Sequence, residues 1–191
     1  IVATVISCQQ REEARALTVP QLAEALGATP TVILSPCDES QPAGGRGNAL
    51  ASTQAIKHAL DAGADLLFCE DDIDLAPDFP RFLELARQER RVTYFYLHDV
   101  GHYMAHRYGL PLTHAIQRGD PIRAGLYELK TARNLSGSQC ISLPLEALQA
   151  APVHVFAAGN RPMDIWLSQW LHDDGITPLV ALPHPVQHRQ V

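Results

Sequence analysis

No stretch of the chain approaches 18 consecutive apolar residues, so nothing in it reads as a membrane-spanning helix. Basic residues are in deficit: 15 Lys and Arg stand against 21 Asp and Glu. The resulting net charge of -6 argues against a protein that coats nucleic acid. Cys8, Cys37, Cys69 and Cys140 show no C-x-x-C spacing. Two of them, Cys69 and Cys140, lie inside apolar runs and read as buried free thiols, which fits a cytoplasmic, reducing compartment. The G-x-G-x-x-G and Walker fingerprints are missing, as is H-E-x-x-H. There is no internal repeat, no low-complexity linker and no signal-peptide pattern, and the sequence begins at Ile1 rather than Met.

What is present suits one α/β domain of 191 residues with 46% hydrophobic content, enough to bury a sizeable core. The most informative stretch runs from Leu66 to Leu75. Its apolar start, residues 66–69, predicts a short strand buried on both faces. It ends in Glu70, Asp71, Asp72 and Asp74, at the carboxyl end of a strand, where open α/β sheets place their ligands. Four crowded carboxylates raise one another's pKa, and a divalent cation relieves that conflict. Asp72-Ile73-Asp74 therefore reads as a clamp for Mg²⁺ or Mn²⁺ and a phosphorylated substrate. The plain alternative is an acidic turn before the next helix, with Asp78 as its N-cap.

Around that stretch the amino-terminal half alternates strand and helix. Residues 1–6 predict a β-branched strand, and 12–26 a helix with Ala16, Val19, Leu22, Ala23 and Leu26 on its apolar face, stopping at Gly27. Pro20 allows a break in its middle. A second strand is expected over 31–34 and a loop over 35–47. Asn48 is then the N-cap of a helix carrying Ala49, Ser52, Ile56, Ala59 and Leu60 on one face. This β-α-β-α-β order implies parallel strands with right-handed crossovers. Further on, helices are expected over 79–89, 144–150 and 161–172, and strands over 92–97, 127–130, 139–143 and 176–182. Trp166 and Trp170 belong to the apolar face of the 161–172 helix. Lys57 and His58 read as surface residues. Residues 98–124 resist assignment; the i, i+4, i+8 histidines His98, His102 and His106 would share a helix face, but Gly101 and Gly109-Leu110-Pro111 oppose a helix.

The order of these features resembles a nucleotide-sugar glycosyltransferase of the A-type fold, and more closely glycosyltransferase family 25, the lipopolysaccharide-biosynthesis type. The residues that carry the resemblance are the 48–60 helix followed by Glu70-Asp71-Asp72, and the Gly137-to-Ser142 stretch before a helix. Asp164 at the opening of a later helix and the Pro183-to-His188 segment complete it. Residues 98–133 match no part of the family's pattern. The resemblance implies a single glycosyltransferase domain over 1–191, with a mostly parallel central sheet flanked by helices. Its nucleotide-sugar half is 1–75 and its acceptor-side half 76–191. It implies a UDP-sugar donor, a carbohydrate or glycoconjugate acceptor, and Mn²⁺ or Mg²⁺ held by Asp72, Asp74 and His188. Asp164 is implied as the general base of an inverting transfer. Ser7, Gln9, Arg11, Asn48, Asp71 and Asp72 fall to the donor. For Asn48 the glycine-rich loop at a helix start adds an anion-binding argument. Two other classes compete. A sugar nucleotidylyltransferase would need a glycine-rich loop after the first strand, which Ser7-Cys8-Gln9-Gln10-Arg11 is not. A binding module would keep the acids and lack the base.

Overall fold

The structure is a computed structural model, and it describes residues 1–35, 46–97, 118–133, 135, 137, 139–152 and 163–189. Strand β1 (Val2–Cys8) leads through a 3-10 turn (Gln9–Arg11) into helix α1 (Glu12–Leu26). Strand β2 (Thr31–Ser35) and helix α2 (Arg46–Asp61) come next. After them stand β3 (Leu66–Glu70), β4 (Ile73–Leu75) and α3 (Phe79–Glu89). The second half supplies β5 (Thr93–Tyr94), β6 (Gly125–Glu128), β7 (Cys140–Leu143) and α4 (Leu145–Ala150). Helix α5 (Met163–Asp173) and strands β8 (Leu179–Leu182) and β9 (Val186–His188) complete the described elements.

Seven strands form one sheet in the order β2-β1-β3-β7-β5-β8-β6, and β4 pairs with β9 apart from it. The pairings β1–β2, β1–β3 and β5–β8 are parallel, while β7 and β6 run against their neighbours. The sheet is therefore mostly parallel in direction, with an antiparallel strand, β7, set into its middle. The carboxyl ends of β1, β3, β5 and β8 share one edge, and that edge carries the acidic turn.

Strand alternation sorts the core into two layers. Leu66 and Phe68 of β3 point to the side covered by Ile56, Leu148 and Met163 of α2, α4 and α5. Leu67 and Cys69 point to the side covered by Leu22 of α1 and Phe79 and Phe82 of α3. All four β3 residues are fully buried, which is why this strand reads as continuously apolar. Each such side chain stabilises the fold by about 1.5–3 kcal/mol.

Several sequence expectations shift by physical detail. Helix α1 has its expected bounds, and Gly27 closes it at φ 65, the left-handed value a C-cap glycine takes without strain. It does not break at Pro20, because Pro20 and Ala16 both lie on its exposed side, where water can serve the carbonyl left without a donor. Its buried face is Ala14, Thr18 and Leu22, and Ala16 is exposed. Helix α2 begins at Arg46, so Asn48 lies inside the helix and is not its N-cap. The expected strand over 92–97 shrinks to Thr93–Tyr94. Asp78 stands at the N-cap of α3 but makes no capping hydrogen bond with its side chain. His98, His102 and His106, and the first two residues of the helix expected over 161–172, lie outside the described residues.

Candidate functional site

The site grows from two adjacent strand ends. Strands β1 and β3 are parallel neighbours, with Ile6 opposite Glu70, so the turns that leave their carboxyl ends emerge side by side. Ser7 Oγ donates to Asp71 Oδ2. The Arg11 guanidinium spans two carboxylates, with Nη1 3.1 Å from Asp71 Oδ1 and Nη2 2.7 Å from Asp72 Oδ2. Arg15 Nη1 donates to Ser7 Oγ at 2.9 Å and also reaches the Cys8 carbonyl. From α1, the buried Thr18 hydroxyl lies 2.7 Å from the Asp71 carbonyl and 3.1 Å from that of Ile73. This explains the polar residue on the buried face of α1: two backbone carbonyls of the acidic turn need a donor there.

The carboxyl-terminal segment then closes over the turn. Strand β9 pairs antiparallel with β4, setting His188 opposite Ile73 and Gln187 opposite Asp74. His188 Nε2 comes within 3.2 Å of Asp72 Oδ2. Arg189 donates its backbone N–H to the Asp72 carbonyl at 2.6 Å and its Nη2 to the Ile73 carbonyl at 2.7 Å. The same guanidinium grips Asp74 through Nε, 3.2 Å from Oδ1, and through Nη2. Gln21 of α1 completes the grip, donating Nε2 to Asp74 Oδ1 at 3.2 Å and accepting the Leu75 N–H at 2.8 Å.

These partners set the charges. Burial pushes the Asp71 carboxyl above its usual range, against the Ser7 hydroxyl and the Arg11 guanidinium, which pull it down; the Asp72 charge adds to the rise. Burial also works to lower the Arg11 pKa, yet its hydrogen bond to Asp72 and the charges of Asp71 and Asp72 hold it above the usual value. Arg189 keeps the Asp74 carboxyl below its usual range, with Gln21 assisting. Nearby, burial lowers the His184 imidazole to about 4. Its ring lies 5.4 Å from that of Tyr96, which in turn is 6.2 Å from the His188 ring.

The crowding of acids led to the expectation of a divalent cation, but the chain supplies its own relief: Arg11 serves Asp71 and Asp72, and Arg189 serves Asp74. Among the described residues no group of three or more His, Cys, Asp or Glu side chains is arranged to hold a metal ion. Asp72 and His188 are in contact, whereas the Asp74 carboxylate is engaged by Arg189 and Gln21. Asp72 is nevertheless 6% exposed, and its Oδ1 is buried without a hydrogen-bond partner among the described residues. An orphaned buried carboxylate oxygen beside an imidazole suits one hard or borderline cation, completed by water and phosphate oxygens. The donor set fits such an ion through Asp72 and His188.

A pocket of about 860 Å³ opens at this point, lined by Gln9, Arg11, Asp72, His188 and Arg189 among others. Gln9 is exposed at its rim, while Ser7 and Asp71 stand behind it. Asp164 is not among its lining residues; it is half-buried in the first turn of α5, where its Oδ1 accepts the Ile165 N–H at 2.8 Å. Trp166 and Trp170 are buried and stacked, 5.9 Å between centroids, in the core. Lys57 and His58 are exposed. Sequence reasoning missed Arg15, Thr18, Gln21 and Arg189. Thr18 and Gln21, polar residues on the same side of α1 as the buried Ala14 and Leu22, were a signal for two of them; Arg189, at the far end of the chain, left none.

No protein-family model matches the chain, and no curated protein matches it. Among solved structures it is similar to A197 from STIV, with a TM-score of 0.51 and 11% identity over 100% of this chain and 95% of that one. It also aligns with mannose-1-phosphate geranyltransferase from Thermus thermophilus, with a TM-score of 0.49 and 13% identity over 97% of this chain and 75% of that one. The likeness to A197 is one of fold alone.

Proposed function

We propose that the protein is a metal-dependent glycosyltransferase of the A-type fold, resembling family 25. In this proposal it moves a sugar from a UDP-sugar to the hydroxyl of a carbohydrate or glycoconjugate acceptor, in the synthesis of a cell-surface polysaccharide or glycoconjugate. One observation carries it. The carboxylates after β3 are tied to Ser7 and Arg11 after β1 and to His188 at the carboxyl terminus, on the wall of a pocket of about 860 Å³. That volume is within the range of small-molecule sites. The pocket lies at the carboxyl ends of parallel strands, where α/β sheets bind ligands.

Glycosyl transfer separates a sugar from a diphosphate that gains negative charge as the bond breaks. Arg11 and Arg189 put two guanidiniums on the pocket wall, and planar forks of N–H donors match phosphate oxygens. A bound Mn²⁺ or Mg²⁺ would supply further charge stabilisation to the leaving diphosphate. Asp72 and His188 are the residues to hold it; Asp74, gripped by Arg189, shapes the turn beside them. Gln9 stands at the rim for the donor. Asp164 is proposed as the base on the strength of the resemblance.

Calorimetric titration with UDP tests the proposal. UDP is expected to bind, more tightly with Mn²⁺ than without, and a UDP-sugar to be hydrolysed or transferred. UDP binding with no turnover under any acceptor would make the protein a binding module. No UDP binding with or without metal would remove the nucleotide-sugar reading.

A further inference from the structure

We propose that Arg11 is a resident counter-ion, and that Arg11 and a divalent cation are alternative partners of Asp72, so that loading the cation frees Arg11 to hold a diphosphate. This rests on the nucleotide-sugar reading above and deepens it.

Three observations lead there. Asp71 and Asp72 are buried, at 1% and 6% exposure, yet the guanidinium that neutralises both reaches them from the surface. Arg11 ends a three-residue 3-10 turn with no buried residue, and its side chain is 36% exposed, so it can swing outward without displacing a core side chain; Asp71, which it also pairs, then keeps the hydrogen bond from Ser7 Oγ. The opposing Ser7 and Thr18 contacts are buried and fixed by β1 and α1. Next, Asp72 uses only Oδ2 toward Arg11 and His188, and its Oδ1 is buried and unpartnered among the described residues. A buried carboxylate oxygen with no donor points to a ligand that the guanidinium does not replace. Finally, Arg11 and Asp72 line the same pocket as Arg189. A divalent ion on Asp72 repels the guanidinium that shares the carboxylate, and the exposed Arg11 side chain is the partner able to move away. Once displaced, the Arg11 fork has a diphosphate as its natural partner in that pocket.

The consequence is thermodynamic linkage. The cation weakens the Arg11–Asp72 bond, and UDP captures the released guanidinium, so each ligand tightens the other by the same factor. Removing Arg11 should remove the competition and that part of the linkage that runs through its guanidinium.

The experiment is Mn²⁺ titration of metal-stripped protein, followed by electron paramagnetic resonance of free Mn²⁺, with and without UDP. Arg11→Met is expected to bind Mn²⁺ alone roughly tenfold more tightly than wild type, the effect of removing one nearby like charge. Its UDP affinity is expected to fall and to gain less from Mn²⁺ than that of wild type. Arg11→Lys keeps the charge, loses the two-carboxylate fork, and is expected to fall between the two; it decides the matter if Arg11→Met does not fold. Unchanged Mn²⁺ affinity in both variants, with wild type still binding UDP and Mn²⁺ together, overturns the exchange and leaves the nucleotide-sugar reading standing. Failure of wild type to bind either probe overturns both.

Discussion

At the scale of single residues, three carboxylate and imidazole groups make different predictions. Asp164→Asn is expected to lower kcat by roughly 10²–10⁴ with UDP affinity nearly unchanged, the signature of a general base. Product NMR should then show inversion; retention, or a mutant within about tenfold of wild type, would leave Asp164 as a helix-start residue. Asp74 has a folded pKa below its unfolded one, so its stabilisation is present above the ordinary carboxylate range near 4 and is lost as pH falls through the lowered value. The side chain is 51% exposed, so solvent screening limits the pair to no more than about 1 kcal/mol. Asp74→Asn should therefore lower urea-measured stability by no more than about 1 kcal/mol above about pH 4 and remove the fall that Asp74 contributes below it. His184 acts in a separate window. Its pKa is lowered from 6.5 to about 4, so between those values the unfolded chain binds the proton and the folded one does not. Stability should fall across that interval by about 3 kcal/mol as pH drops. His184→Leu should remove this slope with no loss at pH 7, because the buried Nε2 has no partner among the described residues to forfeit. An unchanged slope would place the titration elsewhere.

Secondary-structure elements differ in how they are secured. Helix α1 serves as the scaffold of the acidic turn: Ala14, Thr18 and Gln21 on one side reach Arg189, Asp71, Ile73 and Asp74. Strand β9 has three residues, too few to be stable alone, and it exists because β4 and the buried Val186 hold it. Deleting residues 183–191 should lower Tm by about 5–10 °C through loss of Val186 burial and the ladder. His188→Ala should leave Tm nearly unchanged while weakening Mn²⁺ binding. If both variants keep wild-type Mn²⁺ affinity, His188 is no metal ligand.

Across the whole molecule, β3 is the element on which both halves depend. It joins the parallel strands β1 and β2 to the antiparallel β7 and the rest of the sheet, and it buries side chains into both layers. Leu67→Ala should cost about 2–5 kcal/mol in urea denaturation, as cavity formation at a fully buried site does. A loss below about 1 kcal/mol would mean the layer collapses around the gap. On the same strand Cys69 faces Cys140 across the β3–β7 pair, with sulfurs 3.5 Å apart and both fully buried. Burial, with Cys69 beside it, pushes the Cys140 thiol well above its usual pKa, which suits the inert free thiols expected of these positions.

Local features were legible in the sequence because their cause is local. The bounds of α1 and α3 come from periodicity and end signals, and β3 comes from an unbroken apolar run; each depends on neighbours within a few residues. The acids after β3 and the residues after β1 could be named the same way, though not their bonding. Only the tertiary structure decided that β7 enters the sheet antiparallel beside β3, and that His188 meets Asp72 across 116 residues of chain. It also decided that two arginines, Arg11 and Arg189, neutralise the acidic turn. Such pairings are selected by the closure of the whole core, where register and strand order compete globally, and no short window of sequence encodes that competition.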